Sequence, residues 1–396
     1  QLRAPSNSVP TELAFDSHFS ESFHVLSSLI FFCTEQAVIL EKLGICSEFA
    51  VWKFLVNGIF PPGPCDLSIK ETLFDTVPVR IYRSKTLSPE KRRGLVWIHG
   101  GGGIFGGFGK FSKYRWSLES ATVVVAIGYP LAPEHPYPAQ QCSCYMAVSH
   151  FLKHAMDFGV DPQRIILGGD STGGSIVAAI SQQLVLRQDL PQVRAHVLVY
   201  PFLQALDFNL PSYQQNQWVP LLFKTEIIHF GQFYLTGNSS GADAVMFNAH
   251  VPEKLRIKYQ KWISAEHIPE EFKAQGYVPF IPGHFSEALF KECTRIFEAT
   301  FSPLLTEDTI LRQFPETFLL TCEYDILRDE GLLYKKRLED NGVSVTWHHL
   351  EDGFHGISSL IGFGPLEFPG TRRSLKSKLL YWWIVLTIIN FLLGCR

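Results

Sequence analysis

A short stretch, Gly169-Asp170-Ser171-Thr172-Gly173, has the form G-x-S-x-G and stands between an apolar strand-like run and a helix-like run. A serine at a sharp strand-to-helix turn needs small residues two positions away on either side, because its backbone is strained. The start of the following helix also favours negative charge. The pattern therefore predicts that Ser171 is a nucleophile presented at the edge of a sheet.

A nucleophilic serine requires a base and an acid from elsewhere in the chain. Its hydroxyl is too weakly acidic to attack unaided, so a histidine must take the proton and a carboxylate must orient that histidine. His355 lies in a glycine-flanked loop after the last predicted strand, and Asp325 closes the strand before it. The chain order Ser171, Asp325, His355 is that of the α/β-hydrolases. Asp329 and Asp352 remain rival candidates for the acid.

The stretch from His99 to Gly109 is a second candidate for chemistry, since it contains seven glycines. A dinucleotide site would require an acidic residue about twenty positions later, and the next strand ends in "AIGYP" without one. A phosphate-binding loop is excluded because Lys110 is followed by Phe111, where that motif has Ser or Thr. Consecutive backbone N–H groups without obstructing side chains suit an oxyanion hole instead. We expect this loop to stabilise the charge that forms when Ser171 attacks.

The elements that must hold these residues alternate between strand and helix from about Ile69 onward. The runs "LVWIH" and "TVVVAIGY" are continuously apolar, as in parallel strands buried on both faces, whereas "VPVRIY" alternates as an edge strand does. Further strands are predicted at "RIILGG", "AHVLVYP", "TFLLTCEYD" and "VSVTWHHL", with helices from about Ala139 to Phe158 and from about Gly173 to Arg187. The pattern predicts an α/β fold, with a mostly parallel central sheet covered by helices on both faces.

One segment interrupts the alternation. The residues between Pro201 and Ser302 contain no convincing buried strand but many aromatic side chains, which predicts a helical cap over an apolar pocket.

The apolar run "LLYWWIVLTIINFLL" near the C-terminus has 15 residues, too few as a helix for a ~30 Å hydrocarbon core, so we expect a docking or interfacial helix. The expected division is an N-terminal helical segment (1–60), an α/β-hydrolase core (66–201 and 302–370), a cap insertion (202–301) and a hydrophobic C-terminal segment (371–396).

The composition of the 396-residue chain excludes several functions. A formal net charge of -3 gives no general attraction to nucleic acid. The 8 cysteines form no C-x-x-C pair and no zinc-type spacing with histidine, so neither a metal site nor a cofactor is predicted. Asn238 begins an N-x-[ST] triplet and is a candidate glycosylation site.

Several motifs occur in the order typical of a known family. They are "HGGG" at 99–102, "YPLAPEHPYPA" at 129–139, "GDSTGG" at 169–174, "SPLL" at 302–305, "DILRDEG" at 325–331 and "DGFHG" at 352–356. With them the chain resembles the hormone-sensitive-lipase-like branch of the α/β-hydrolases, and within it the arylacetamide deacetylase family. "EKLGICS" and "LPSYQQNQWVPLL" favour the third or fourth subtype of the arylacetamide deacetylase-like proteins. The likeness extends to about Gly356.

The resemblance implies a catalytic set at matching positions. It assigns Ser171 as nucleophile, Asp325 as acid, His355 as base, the N–H groups of Gly101, Gly102 and Thr172 as oxyanion hole, and His99, Gly100, Gly169, Asp170 and Gly173 as motif residues. Most family members have Ala where Thr172 stands, and Pro130 replaces the usual Arg. Ile104 stands near a family cysteine that would pair with one at Cys322, so the resemblance implies no such disulfide here.

The function expected from these observations is hydrolysis of carboxylic esters of hydrophobic substrates without a cofactor, with arylacetamides as a further candidate substrate class. The alternative is a catalytically silent hydrolase-fold protein that binds a lipid or small molecule. The resemblance further implies an endoplasmic reticulum membrane location with the catalytic domain in the lumen. Because the chain starts at Gln1, we expect an initiating segment, with any anchor, to lie upstream. We expect contact with a membrane surface and make no prediction about the oligomeric state.

Overall fold

A central sheet of eight strands organises the protein. The computed structural model describes residues 67–86, 91–107, 122–219, 221–238, 241–274 and 276–357, together with the isolated positions 36, 39–40, 42–46, 51, 391 and 394. The strands lie side by side in the order β1-β2-β4-β3-β5-β6-β7-β8. Their bounds are β1 Leu67–Phe74, β2 Val77–Ser84, β3 Arg92–Ile98, β4 Val123–Ile127, β5 Val160–Asp170, β6 Ala195–Val199, β7 Glu316–Tyr324 and β8 Val345–Phe354.

Most neighbouring strands run parallel. Only β1 with β2 and β2 with β4 pair in the antiparallel sense among the described strands, and the other five pairs are parallel. The predicted mostly parallel α/β architecture is therefore confirmed. The prediction that Val77–Tyr82 forms an edge strand was wrong, because β1 pairs along the outer side of β2. β1 carries exposed residues such as Lys70 and Glu71, as solvated edge strands do.

Helices connect the strands and pack on the sheet. The described helices are α1 Ala139–His154, α2 Thr172–Leu184, α3 Pro211–Gln215, α4 Lys224–Thr236, α5 Ala242–Met246, α6 Glu253–Gln260, α7 Glu287–Cys293, α8 Asp308–Leu311 and α9 Arg328–Asp340. Apolar residues of α1, α2 and α9 share one buried cluster with side chains of one sheet face, such as Val96 and Ile98. The other face, which includes Leu95 and Trp97, forms a second cluster.

The two terminal segments that the sequence sets apart lie almost entirely outside the described residues. In the C-terminal segment only positions 391 and 394 are described, and the ring centre of Phe391 lies 5.4 Å from that of Phe318 on the second sheet face. Within the described part of the chain, no helix has both the length and the apolar character needed to cross a membrane. Between β6 and β7 the described residues form α3 to α8 with short 3₁₀ turns and no strand.

Candidate active site

Ser171 occupies a strained turn between β5 and α2. Its backbone adopts φ 54° and ψ -126°, a conformation that a residue with a side chain rarely takes and that clusters at functional sites. β5 ends at Asp170 and α2 begins at Thr172, so the serine lies at the point where the chain reverses. Its N–H donates to the carbonyl of Val199 on β6 at 2.9 Å. The neighbouring strand therefore holds the turn in place.

Two glycines make this turn sterically feasible. A Cβ atom added to Gly173 would overlap the carbonyl oxygen of Ile98 on β3, and one added to Gly169 would overlap the backbone of Gly173. The start of α2 consequently lies closer to β3 than a side chain would allow. The requirement for small residues two positions from Ser171 thus has a direct structural cause.

The base and the acid meet Ser171 from the far end of the chain. His355 Nε2 lies 2.9 Å from Ser171 Oγ, and His355 Nδ1 lies 2.8 Å from Asp325 Oδ2. Asp325 is 1% and His355 is 8% exposed, so their hydrogen bond is shielded from water. The ring of Tyr200 packs against the imidazole at 4.8 Å. The structure therefore joins Ser171, His355 and Asp325, which the sequence suggests as nucleophile, base and acid, in one hydrogen-bonded chain.

The rival carboxylates occupy other positions. Asp329 is fully buried, where it pairs with Arg328 at 2.9 Å and accepts a hydrogen bond from the Ser212 N–H at 2.6 Å. Asp352 is exposed. Of the three candidates, Asp325 is the one whose hydrogen bond with His355 is seen.

The glycine loop after β3 lies directly beside the nucleophile. A Cβ atom on Gly100 would lie 2.6 Å from the carbonyl oxygen of Asp170 and 2.9 Å from the Cβ of Ser171. His99 holds the start of the loop in place. Its Nδ1 is 2.8 Å from the carbonyl oxygen of Gly100, and its ring stacks on the ring of Tyr129 with 4.2 Å between the ring centres. The Tyr129 hydroxyl donates to the His99 carbonyl at 2.7 Å. Gly100 therefore lies closer to Asp170 and Ser171 than a side chain at position 100 would allow.

The loop has the backbone that an anion site needs. Gly101, Gly102 and Gly103 all have positive φ, which glycine adopts without strain. The N–H groups of Ile104 and Phe105 both donate to the carbonyl of Gly101. Among the residues that the structure describes, no acceptor is seen for the N–H groups of Gly101 and Gly102. The N–H of Thr172, at the first position of α2, has no acceptor within its helix either.

Cap helix α4 packs on the outer side of the glycine loop. A Cβ atom on Gly102 would lie 3.3 Å from the Cβ of Phe230, and one on Gly103 would overlap the ring of Tyr234. Phe230 also packs edge-to-face on Phe105 at 5.4 Å. The loop is therefore confined between the sheet and an aromatic face of the cap.

Three consecutive charged residues of α9, Arg328, Asp329 and Glu330, form a buried cluster that the sequence reasoning missed. Each is at most 1% exposed. Glu330 accepts hydrogen bonds from the N–H groups of Leu203 and Gln204, where the chain leaves β6 for the cap. Burial raises the pKa of Asp329, and it raises the pKa of Glu330 to about 8. The available sequence signal was a run of three charged residues shortly after an apolar strand.

The sequence also singles out Asn238, Cys322 and Ile104. Asn238 is exposed just beyond the end of α4. Cys322 is a free, fully buried thiol whose pKa is raised by burial, and Ile104 is buried as well. Among the described residues, no group of three or more His, Cys, Asp or Glu side chains could hold a metal ion.

Comparison with known proteins places this geometry in a family. A profile of the α/β-hydrolase fold matches residues 95–268 and 270–359. Arylacetamide deacetylase-like 4 of Homo sapiens is 43% identical over 345 residues, which cover 87% of this chain and 85% of that protein. Arylacetamide deacetylase-like 3 of Mus musculus is 42% identical over 351 residues, covering 88% and 86% respectively.

A solved structure of a bacterial heroin esterase matches with a TM-score of 0.61 at 23% identity, covering 88% of this chain and 91% of that one. This likeness shows the shared fold. The resemblance to the third or fourth subtype of the arylacetamide deacetylase-like proteins is confirmed by the two mammalian relatives. The chain belongs to the arylacetamide deacetylase-like members of the α/β-hydrolase family, and its enzyme class is that of the carboxylic ester hydrolases.

Proposed function

We propose that the protein hydrolyses carboxylic esters of hydrophobic substrates with Ser171 as nucleophile, His355 as base and Asp325 as acid. The observation that carries this proposal is the continuous hydrogen-bonded chain from Ser171 Oγ through His355 to Asp325, with distances of 2.9 and 2.8 Å. Such a chain activates a hydroxyl that is otherwise a poor nucleophile.

The proposed reaction has two steps. Ser171 Oγ attacks the ester carbonyl while His355 Nε2 takes its proton, and the imidazolium then protonates the departing alcohol. A water molecule, deprotonated by the same imidazole, attacks the acyl-enzyme and releases the acid. Asp325 orients the ring and stabilises its charged form in both steps.

The negative charge on the attacked oxygen would be held by backbone N–H groups of Gly101, Gly102 and Thr172. These groups are fixed before substrate binds, so stabilising the oxyanion requires little reorganisation. Aromatic side chains of α4, Phe230 above all, border the glycine loop. Their apolar surface supports a preference for hydrophobic acyl or aryl groups. The names of the relatives, arylacetamide deacetylase among them, support testing aryl amides beside esters.

The test is labelling with a fluorophosphonate probe, combined with hydrolysis of p-nitrophenyl esters of increasing acyl length. We expect labelling and hydrolysis by the wild type, and loss of both in Ser171→Ala. Ser149→Ala is the matched control, because Ser149 is a buried serine of α1 whose hydroxyl has no partner among the described residues. A folded wild-type protein that neither labels nor hydrolyses would favour the silent binding function instead.

We also propose association with the endoplasmic reticulum membrane, with the catalytic domain in the lumen. The support is the family resemblance together with the apolar character of the C-terminal segment. Flotation with vesicles, compared between the full chain and a chain ending before Leu379, tests the membrane contact. Equal flotation of the two chains would show that the C-terminal segment does not contribute to membrane binding.

A further inference from the structure

The position of the acid Asp325 depends on a loop that the sheet does not hold by regular pairing. β6 pairs with β7 only as far as Leu320, and the register between β7 and β8 shifts between Cys322 and Tyr324. Asp325 uses Oδ2 for His355 and Oδ1 for the N–H of Leu327. The orientation of the Asp325 carboxylate therefore depends on the position of the backbone around residue 325. Other parts of the chain must hold that backbone, because regular strand pairing does not.

Asn216 supplies this support on the upstream side. It lies directly after α3, the first helix of the cap, and is 4% exposed. Its Nδ2 donates to the carbonyl of Glu323 at 2.9 Å and to the carbonyl of Asp325 at 3.2 Å. The two hydrogens of one amide group thus bridge the carbonyl of the proposed acid itself and the carbonyl two residues before it. Aspartate and alanine lack the two amide hydrogens that this bridge requires.

The same cap helix supports the downstream side. The Ser212 hydroxyl donates to the carbonyl of Ile326 at 2.6 Å, and Gln215 Oε1 accepts from Arg328 at 2.8 Å. Asn216 itself is fixed by its N–H, which donates to the carbonyl of Ser212 at 2.9 Å. Residues 212–216 therefore hold the acid loop from both sides of Asp325.

We propose that Asn216 is a positioning residue for the catalytic acid, through which the start of the cap sets the alignment of Asp325 with His355. The proposal rests on the proposed function, since it assumes that Asp325 is the acid of that reaction. Asn216 touches neither substrate nor the reacting atoms. It acts through the backbone of Asp325, and misplacement by about 1 Å of a group in such a chain can cost about a hundredfold in rate.

The test compares Asn216→Ala and Asn216→Asp with Gln214→Ala. Gln214 lies on the same helix and donates to the carbonyls of Asn209 and Val278, away from the acid loop. In the Asn216 variants we expect kcat to fall roughly ten- to a hundredfold with KM within about twofold of wild type, because alignment and not substrate binding is lost. The Gln214 variant should keep kcat within about twofold. Circular dichroism and thermal melting establish that each variant is folded.

A second readout is independent of activity. The proton between His355 Nδ1 and Asp325 Oδ2 should give a far-downfield NMR resonance in the wild type that shifts or broadens in both Asn216 variants and persists in Gln214→Ala. If the wild type proves inactive towards esters, the proposed function fails while this resonance still tests Asn216. Unchanged kcat and an unchanged resonance in a folded Asn216 variant would overturn the inference, as would an equal loss in Gln214→Ala.

Ser212→Ala provides the fallback if neither Asn216 variant folds. It removes the hydroxyl that holds the Ile326 carbonyl and leaves the amide bridge of Asn216 intact. We expect a smaller fall in kcat and a displaced resonance, because the loop loses one of its two supports. Wild-type values for both measurements would overturn the claim that residues 212–216 align the acid.

Discussion

The nucleophile region (residues 98–103 and 169–173) and the acid region (residues 212–216 and 323–330) are built by different means. In the nucleophile region, glycines let backbone segments approach more closely than any side chain would allow, as Gly173 does against Ile98. In the acid region, polar side chains span the gap between segments, as Asn216 does to a carbonyl 107 residues away. One region thus depends on missing side chains and the other on particular side chains. Adding side-chain atoms should therefore damage the nucleophile region, whereas removing them should damage the acid region.

Gly173→Ala should have the largest effect. The added Cβ would meet the carbonyl of Ile98 and displace the start of α2, including Ser171 and the Thr172 N–H. We expect kcat/KM for a short-chain ester to fall ~10³-fold or more, since attack geometry and an oxyanion donor are lost together. Gly231→Ala on α4 is the control, because its Cβ would meet nothing within 4 Å. Wild-type kinetics in a folded Gly173→Ala enzyme would show that catalysis does not depend on the close approach of α2 to β3.

Arg328→Met should show that the acid region depends on its polar side chains for stability. The guanidinium is 1% exposed and pairs with the fully buried Asp329 and with Glu323 at 2.8 Å. Its removal leaves a buried carboxylate without its counter-charge, and we expect the free energy of unfolding in urea to fall by about 3–5 kcal/mol. The double variant Arg328→Met/Asp329→Asn should recover part of this loss. No recovery would show that the pair is not the cause.

Low pH should destabilise the protein through a buried histidine on β6, the strand that lies between the two regions. His196 on β6 is buried, and burial lowers its pKa from 6.5 to about 3. Below about pH 6.5 the unfolded chain therefore binds a proton at this histidine, whereas the folded protein does not. The free energy of unfolding consequently decreases as the pH falls from 6.5 towards 3. The expected loss at pH 5 is about 2 kcal/mol from this group. Urea unfolding at pH 7.5 and pH 5 measures it.

His196→Gln is the variant that assigns this acid sensitivity. It removes the titrating ring, and the difference in unfolding free energy between the two pH values should shrink by about the same 2 kcal/mol. His250, whose pKa is lowered by burial to about 4, should account for part of the remaining difference. If the difference in unfolding free energy between pH 7.5 and pH 5 is as large in His196→Gln as in the wild type, His196 is not the source of the acid sensitivity.

Thr172→Ala should have the smallest effect on catalysis. The proposed contribution of this residue is its backbone N–H, which the substitution keeps, so kcat/KM should change by less than about threefold. Asn216→Ala also removes a polar side chain, but there the loss in kcat should be larger because the side chain itself makes the supporting hydrogen bonds. A large loss in Thr172→Ala would mean that the nucleophile region also depends on side-chain contacts.

The strand order illustrates what sequence patterns could not predict about the fold. The alternation in Val77–Tyr82 is the pattern expected of an edge strand, yet β2 lies inside the sheet because β1 covers it. Alternation reports that one face of a strand is more polar than the other, and not which strands lie beside it. The buried runs of β3 and β4 were predicted correctly because burial on both faces leaves a continuous apolar signal.

The nucleophile region could be predicted from the sequence, because steric exclusion leaves a short local motif of glycines around Ser171 and after His99. The sequence also indicated Asp325 and His355 through their positions after strands. The residues that hold Asp325 in place are visible only in the folded chain. The bridge from Asn216, the buried ion pair of Arg328 and the contact of Phe230 with the glycine loop join segments far apart in the chain. Hydrogen bonds and packing of this kind depend on distances that no local pattern encodes, since they exist only once the cap has folded onto the sheet.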